Sequence, residues 1–211
     1  MNTYNPYLLY AITDPGYAER MPLEDQVEAA IRGGITCLQL RDKTADKEEF
    51  RRQAISVKKL TDAAGIPLIV NDHVDIAAEI DAAGVHIGQK DMALTEARAI
   101  LGPDKIIGVS ARTVELALKA QQDGASYLGV GAVFGTTTKL DAKPLEMETL
   151  KSICAAVSIP VVAIGGISQN NVEKLTGTGI SGAAVVSAVF GQPDIEAACI
   201  KLLETLKQVT A

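Results

Sequence analysis

The chain has 211 residues, of which 47% are hydrophobic and 22% charged, enough to bury one large core or at most two small ones. Aromatic residues make up only 4% and tryptophan is absent, so that core must be built from Ala, Val, Ile and Leu. A formal net charge of -6 argues against broad binding to nucleic acid or to an anionic membrane, while local cationic clusters can still hold phosphates.

The first apolar run, Tyr7–Ile12, is short and has no cationic region before it, which does not fit a signal peptide. No apolar run reaches membrane-spanning length, and the expectation is a soluble, cytoplasmic protein. Cys37, Cys154 and Cys199 are odd in number and widely spaced, with no CxxC, so reduced, buried thiols are expected rather than a disulfide framework or a structural zinc site.

Short, β-branched apolar runs predict strands at Tyr7–Thr13, Thr36–Leu40, Leu68–Val70, Gly84–Ile87, Ile106–Val109, Tyr127–Val130, Val161–Ile164 and Gly182–Val186. Helical periodicity fills the gaps, at Leu23–Arg32, Lys47–Ala64, His73–Ile80, Leu94–Leu101, Thr113–Gln122, Leu145–Val157, Gln169–Leu175 and Ile195–Val209. In the longest of these, Phe50, Ala54, Val57 and Leu60 share one face. Gly33-Gly34, Gly65, Gly84, Gly102 and Gly124 follow helical runs, where a positive φ is wanted. No linker or low-complexity tract interrupts the pattern, which predicts one domain over residues 1–211. Eight strand–helix pairs in this length predict an α/β fold, a single-domain (β/α)8 TIM barrel. An open doubly wound sheet would carry a GxGxxG turn after its first strand, and Thr13-Asp14-Pro15-Gly16 does not fit.

Barrel active sites form at the C-terminal strand ends. Polar residues and glycines gather at those positions: Gln39 to Lys43, Asn71-Asp72-His73, His86 to Asp91, Ser110 to Thr113, Gly165-Gly166 and Val186-Ser187. After the sixth strand comes Gly131 to Lys139, with two glycines, Thr136, Thr137, Thr138 and a terminal cation, the makings of an anion cradle or a plain surface loop. Gly165, Gly166 and Ser187 fit the barrel phosphate site made by the last two loops; a Gly-Gly turn and an N-cap are the plainer reading. Arg41, Lys43 and Lys139 supply cations, and Asp72 and Asp91 supply hard oxygens suited to Mg²⁺, although either Asp could instead cap a helix. His86 is expected to fill the barrel with a local hydrogen bond, and neither His86 nor His73 follows a nucleophile element.

Together the motifs Gln39-Leu40-Arg41-Asp42-Lys43, Asn71-Asp72, Gly84 to Gln89 with Asp91, Gly108-Val109-Ser110, Gly131 to Lys139, Ala163 to Ile167 and Val186-Ser187-Ala188 resemble the thiamine-phosphate synthase family. The resemblance covers nearly the whole chain. It implies an enzyme, a transferase that joins 4-amino-2-methyl-5-hydroxymethylpyrimidine diphosphate to a thiazole phosphate, with Mg²⁺ as cofactor. It implies that Gln39, Arg41, Lys43, Asn71, Ser110 and Lys139 contact the pyrimidine diphosphate, with Leu40 and Asp42 of the same run in the substrate-binding set. Asp72 and Asp91 would hold the metal; Thr136, Thr137, Thr138, Gly166, Val186 and Ser187 would surround the thiazole phosphate; Arg41, Lys43, Ser110 and Lys139 would assist departure of diphosphate. Small-molecule partners are implied, and a homo-oligomer is left open. Arg112 stands where the family often has His, and Lys90 where it has an acidic or polar residue. A thiazole tautomerase of the same barrel group, which would need an acid/base near Arg112, and a non-catalytic phosphate sensor are the alternatives.

Overall fold

The computed structural model describes residues 5–135 and 144–211. Eight parallel strands close on themselves in chain order, the first pairing with both the second and the eighth. They are β1 Leu9–Ile12, β2 Cys37–Leu40, β3 Leu68–Asn71, β4 Gly84–Ile87, β5 Ile106–Ala111, β6 Tyr127–Gly131, β7 Val161–Ile164 and β8 Gly182–Val185. Outside them lie α1 Leu23–Arg32, α2 Lys47–Ala64, α3 Val74–Glu79, α4 Leu94–Leu101, α5 Val114–Gln122, α6 Met147–Ala156 and α7 Ile195–Val209. The closed barrel is the predicted one, and it excludes the open sheet.

Period-two alternation divides the core into two layers. Leu9, Leu38, Leu40, Val70, Val85, Ile107, Leu128 and Val185 point outward and pack under the helices, against Val27, Phe50, Ala54 and Val57 among others. Tyr10, Ile12, Cys37, Ile69, Tyr127, Val162 and Ala184 form a separate cluster inside the barrel. Burying each large aliphatic side chain is worth roughly 1.5–3 kcal/mol, so the outer layer, with far more of them, dominates stability.

Three expectations are corrected. The helix predicted at Gln169–Leu175 is a 3-10 turn, Val172–Leu175. Asn171 is tied back to the loop after β7, accepting from Ser168 N and donating to the Gly166 carbonyl, and the glycines at 177 and 179 have positive φ and end the turn. β8 stops before Val186, whose carbonyl already accepts from Val189 N and Phe190 N in a helical turn. Gly84 does not terminate a helix; it opens β4, where a Cβ would lie 1.9 Å from the Ile106 carbonyl oxygen. The three cysteines are free, Cys37 and Cys199 buried and Cys154 half-buried, as expected.

Candidate active site

Inward-facing residues become polar toward the C-terminal ends of the strands. Gln39, Asn71, His86 and Ser110 line a cavity of about 190 Å³, with Tyr10 and Tyr127 in its wall, Arg41 and Arg112 beside them, and Ile164 and Val186 on the opposite side. A larger groove of about 320 Å³ runs outside the barrel along α2 and α3, but Arg51, Glu79, Lys58 and Asp62, which line it, are engaged in surface ion pairs away from the strand ends.

A continuous string of hydrogen bonds crosses the cavity. Gln39 Nε2 donates to Tyr10 Oη at 2.9 Å, and Tyr10 Oη meets Tyr127 Oη at 2.8 Å. Tyr127 Oη lies 2.9 Å from His86 Nδ1, and His86 Nε2 lies 2.9 Å from Ser110 Oγ. Burial pushes both tyrosine hydroxyls well above their ordinary pKa, so each stays protonated. Two glycines make room: a Cβ on Gly108 would sit 2.1 Å from Tyr127 Cζ, and one on Gly129 would sit 2.9 Å from His86 Cε1.

The cations and carboxylates stand at the rim. Arg41, mostly buried, reaches to within 3.6 Å of Asp14 Oδ2, and its backbone is pinned by Thr13 Oγ1, which accepts from Arg41 N and donates to Arg41 O. Lys43 is ion-paired with Asp72, which follows β3 with a φ of 63°. Asp91 Oδ2 accepts from Gly88 N at 2.7 Å, closing the turn after β4. Neither carboxylate caps a helix: the cap position of α3 is His73, packed on Phe50, and that of α4 is Ala93.

Not every residue of the Gln39–Lys43 run faces the cavity. Leu40 is buried in the outer layer under the helices. Asp42 folds back on its own loop: Oδ1 accepts from Thr44 N, Thr44 Oγ1 and Ala45 N, and Oδ2 from Gln53 Nε2. Burial raises its pKa, but these hydrogen bonds outweigh that effect and leave it below the ordinary value. On the far side, Gly166 has a φ of 65°, and a Cβ there would lie 2.0 Å from the Gly135 carbonyl oxygen. Ser187 is exposed at the start of the turn after β8, whose end Arg20 holds by donating to the carbonyls of Phe190, Gly191 and Gln192. Thr136, Thr137, Thr138 and Lys139 lie outside the described residues.

The sequence reading assigned no role to Tyr10, Tyr127, Asp14 or Arg112. Arg112 donates to the Gly131 carbonyl at 2.9 Å in the cavity wall. Tyr127 had a readable signal in Gly108, a glycine inside a strand, which marks a close approach by a neighbouring group.

A family model described as thiamine monophosphate synthase matches residues 9–189. The chain belongs to the thiamine monophosphate synthase family. A thiamine-phosphate synthase of Ruminiclostridium cellulolyticum is 52% identical over 198 residues, covering 94% of each chain. One from Clostridium tetani is 52% identical over 194 residues, covering 92% of this chain and 93% of its own. Among solved structures, a thiamine phosphate pyrophosphorylase from Pyrococcus furiosus superposes with a TM-score of 0.91 at 38% identity, covering all of both chains. A 3-hexulose-6-phosphate synthase, at 16% identity and a TM-score of 0.71, shares the fold alone. Within the family's barrel, the described residues that carried the sequence resemblance divide between a charged rim from β2 to β5 and a glycine-rich rim from β6 to β8. Among the described residues no helix is long and apolar enough to cross a membrane.

Proposed function

We infer that this chain is a thiamine-phosphate synthase, and that its two rims hold the two substrates of the reaction. The observation that supports this best is the shared cavity: Gln39, Arg41, Asn71 and Ser110 stand on one side and Val186 on the other, so two ligands would meet across it.

On this reading the pyrimidine ring sits over Gln39 and Asn71, and its diphosphate lies toward Arg41 and Lys43; Lys139, outside the described residues, joins them by the family resemblance alone. The thiazole phosphate is taken by Gly166, Ser187 and the threonines 136–138. The methylene C–O bond breaks, and diphosphate leaves with the electron pair. The electron-rich aminopyrimidine spreads the positive charge left on the methylene. The thiazole nitrogen then donates its lone pair to form the C–N bond and becomes the cationic thiazolium nitrogen. That nitrogen carries no proton, so no general base is needed at this step, in keeping with His86 being engaged on both ring nitrogens. Arg41 and Lys43 offset charge on the departing diphosphate, and Ser110 donates a hydrogen bond to it. Holding two reactants in line contributes on the order of 7–11 kcal/mol in favourable cases.

The residues fit a magnesium ion shared with substrate. Among the described residues no group of three His, Cys, Asp or Glu could hold a metal by itself. Two carboxylates on neighbouring strand ends, completed by water and phosphate oxygens, are the usual protein share for Mg²⁺. Asp72 and Asp91 would hold it, and when bound it would supply neutralisation of the diphosphate charge. Lys43 is the ion-pair partner of Asp72.

The tautomerase alternative needs a proton-transfer group at the Arg112 position. That guanidinium instead donates to a backbone carbonyl, and an arginine does not deprotonate in proteins. The test is direct. Purified protein is incubated with both substrates, with and without Mg²⁺, and thiamine phosphate and diphosphate are quantified. Equal amounts of both products, formed only with the metal, are expected. No product with Mg²⁺ present rejects the synthase.

A further inference from the structure

We propose that Tyr10, Tyr127 and His86 are positioning residues: a hydrogen-bond relay started by the Gln39 amide, which holds His86 in one tautomer and leaves the Ser110 hydroxyl proton free for the ligand. The proposal rests on the synthase reading only for its kinetic consequence. The relay itself is built of the barrel's own side chains.

The direction of the relay is set by the Gln39 amide, whose Nε2 rather than Oε1 faces Tyr10. The Gln39 Nε2 group can only donate, so Tyr10 Oη accepts from it at 2.9 Å. A phenol has one proton, and of Tyr10's two neighbouring acceptors, Tyr127 Oη at 2.8 Å and the buried Cys37 thiol, the oxygen is the stronger, so Tyr10 donates to Tyr127. Tyr127, accepting there, donates its own proton to His86 Nδ1 at 2.9 Å. A neutral imidazole that accepts at Nδ1 carries its hydrogen on Nε2. That N–H then donates to Ser110 Oγ at 2.9 Å. Ser110, already an acceptor, keeps its proton for whatever occupies the cavity. With the opposite polarity, Ser110 would spend its proton on His86 and meet an anionic leaving group with lone pairs alone.

Three features indicate that the string is built rather than incidental. Gln39, Tyr10 and Tyr127 are 3%, 1% and 1% exposed, so water does not compete for these bonds. Its members come from five strands, β2, β1, β6, β4 and β5 in order, so no local turn imposes it. Gly108 and Gly129 stand where a Cβ would collide with the Tyr127 and His86 rings. A polar chain of this kind in a low-dielectric interior is costly if left incomplete and directional when complete.

The experiment has a structural arm and a kinetic arm. In the structural arm, ¹⁵N NMR of the ligand-free protein at about pH 8, above the ordinary histidine range, reads the tautomer of each ring. There are two histidines, and a His73→Gln variant identifies the His86 signals. The expected result is His86 protonated on Nε2 alone, with the second tautomer appearing in Tyr127→Phe, which keeps the ring and removes the donor. Tyr10→Phe, which cuts the relay one step earlier, should give the same change in smaller degree and serves if Tyr127→Phe does not fold. In the kinetic arm, Ser110→Ala should lower kcat on the order of 10²-fold and Tyr127→Phe about tenfold, with little change in either KM. If Tyr127 acts through Ser110, adding Tyr127→Phe to Ser110→Ala should cost nothing more. A proton on Nδ1 in the unmodified protein, an unchanged tautomer in Tyr127→Phe, or kcat losses that multiply in the double variant would each overturn the relay. A protein that makes no thiamine phosphate would remove the synthase reading while the tautomer measurement still decides the relay.

Discussion

The two sides of the barrel mouth are built from different materials. From β2 to β5 the rim is made of side chains: Arg41, Lys43, Asn71, Asp72, Asp91 and Ser110. From β6 to β8 the described part of the rim is made largely of backbone: Gly131, Gly165, Gly166 and the turn that starts at Val186. The charged side balances itself, Arg41 against Asp14 and Lys43 against Asp72. The backbone side is held by cross-links between loops, Val133 N to Ile164 O, Phe134 N to Gly165 O and Asn171 Nδ2 to Gly166 O. A side-chain site can lose one group and keep its shape. A site that rests on backbone shape fails when that shape changes, whatever hydroxyls it also carries. The two proposed anion sites should therefore break in different ways.

Gly166→Ala is the most severe test of that difference. The backbone there has a φ of 65°, and the added methyl would approach the Gly135 and Phe134 carbonyl oxygens to 2.0 and 2.7 Å. Backbone atoms cannot step aside as a side-chain tip can, so the two loops must separate. A stability loss of about 3 kcal/mol or more is expected, together with loss of thiazole phosphate binding. Denaturant melts and titration with the thiazole phosphate measure the two. If binding is lost while stability stays unchanged, the site is not held together by its packing.

On the charged side, Asp72→Asn should leave the fold intact and remove most metal-dependent turnover, on the order of 10²-fold. Asn is the informative replacement. Asp72 has a φ of 63°, a conformation that Asn tolerates, whereas Ala there adds about 1–2 kcal/mol of strain unrelated to charge. Circular dichroism melts and kcat against Mg²⁺ concentration check it. An Asn variant that unfolds would move Asp72 to the structural side of the comparison.

Much of this was readable in the chain. Strands β2 to β7 appear within a few residues of their predicted ends because each is a short apolar run closed by Gly, Pro or polar residues. Both rims were visible as polar clusters after those runs. What escaped depended on pairing between distant segments. Lys43 with Asp72 and Arg41 with Asp14 bring together residues 29 and 27 positions apart, and no local pattern records that. Tyr10 and Tyr127 look like ordinary apolar strand residues until the barrel closes and their hydroxyls meet. His86 fills the barrel as expected, but its hydrogen bonds are not local: its ring nitrogens reach Tyr127 and Ser110, 41 and 24 positions away. The run Gln39–Lys43 is not a single substrate-facing unit, because strand alternation separates Gln39, facing the cavity, from Leu40, facing the helices.

Asp42 offers the smallest and most discriminating effect, because it lies between two proposed diphosphate cations and yet belongs to the scaffold. Its carboxylate is consumed by Thr44, Ala45 and Gln53, which joins the loop after β2 to α2. Asp42→Ala should therefore cost roughly 1–2 kcal/mol at pH 7, read as a lower Tm of about 2–4 °C per kcal/mol. Its effect on KM for the pyrimidine diphosphate should stay within about twofold, below the factor that a lost charge-assisted contact produces. The pH dependence carries its own sign. The folded-state pKa is lowered from the ordinary 3.8, so the unfolded chain binds the proton more tightly and low pH favours unfolding at this site. The contribution is complete above the ordinary value and is lost as pH falls through the lowered folded one. The stability gap between the natural protein and Asp42→Ala should accordingly be widest near neutrality and shrink below about pH 4. A gap that persists unchanged at low pH would mean that the carboxylate charge does not hold this loop. A KM that rises tenfold at pH 7 would return Asp42 to the substrate-binding set.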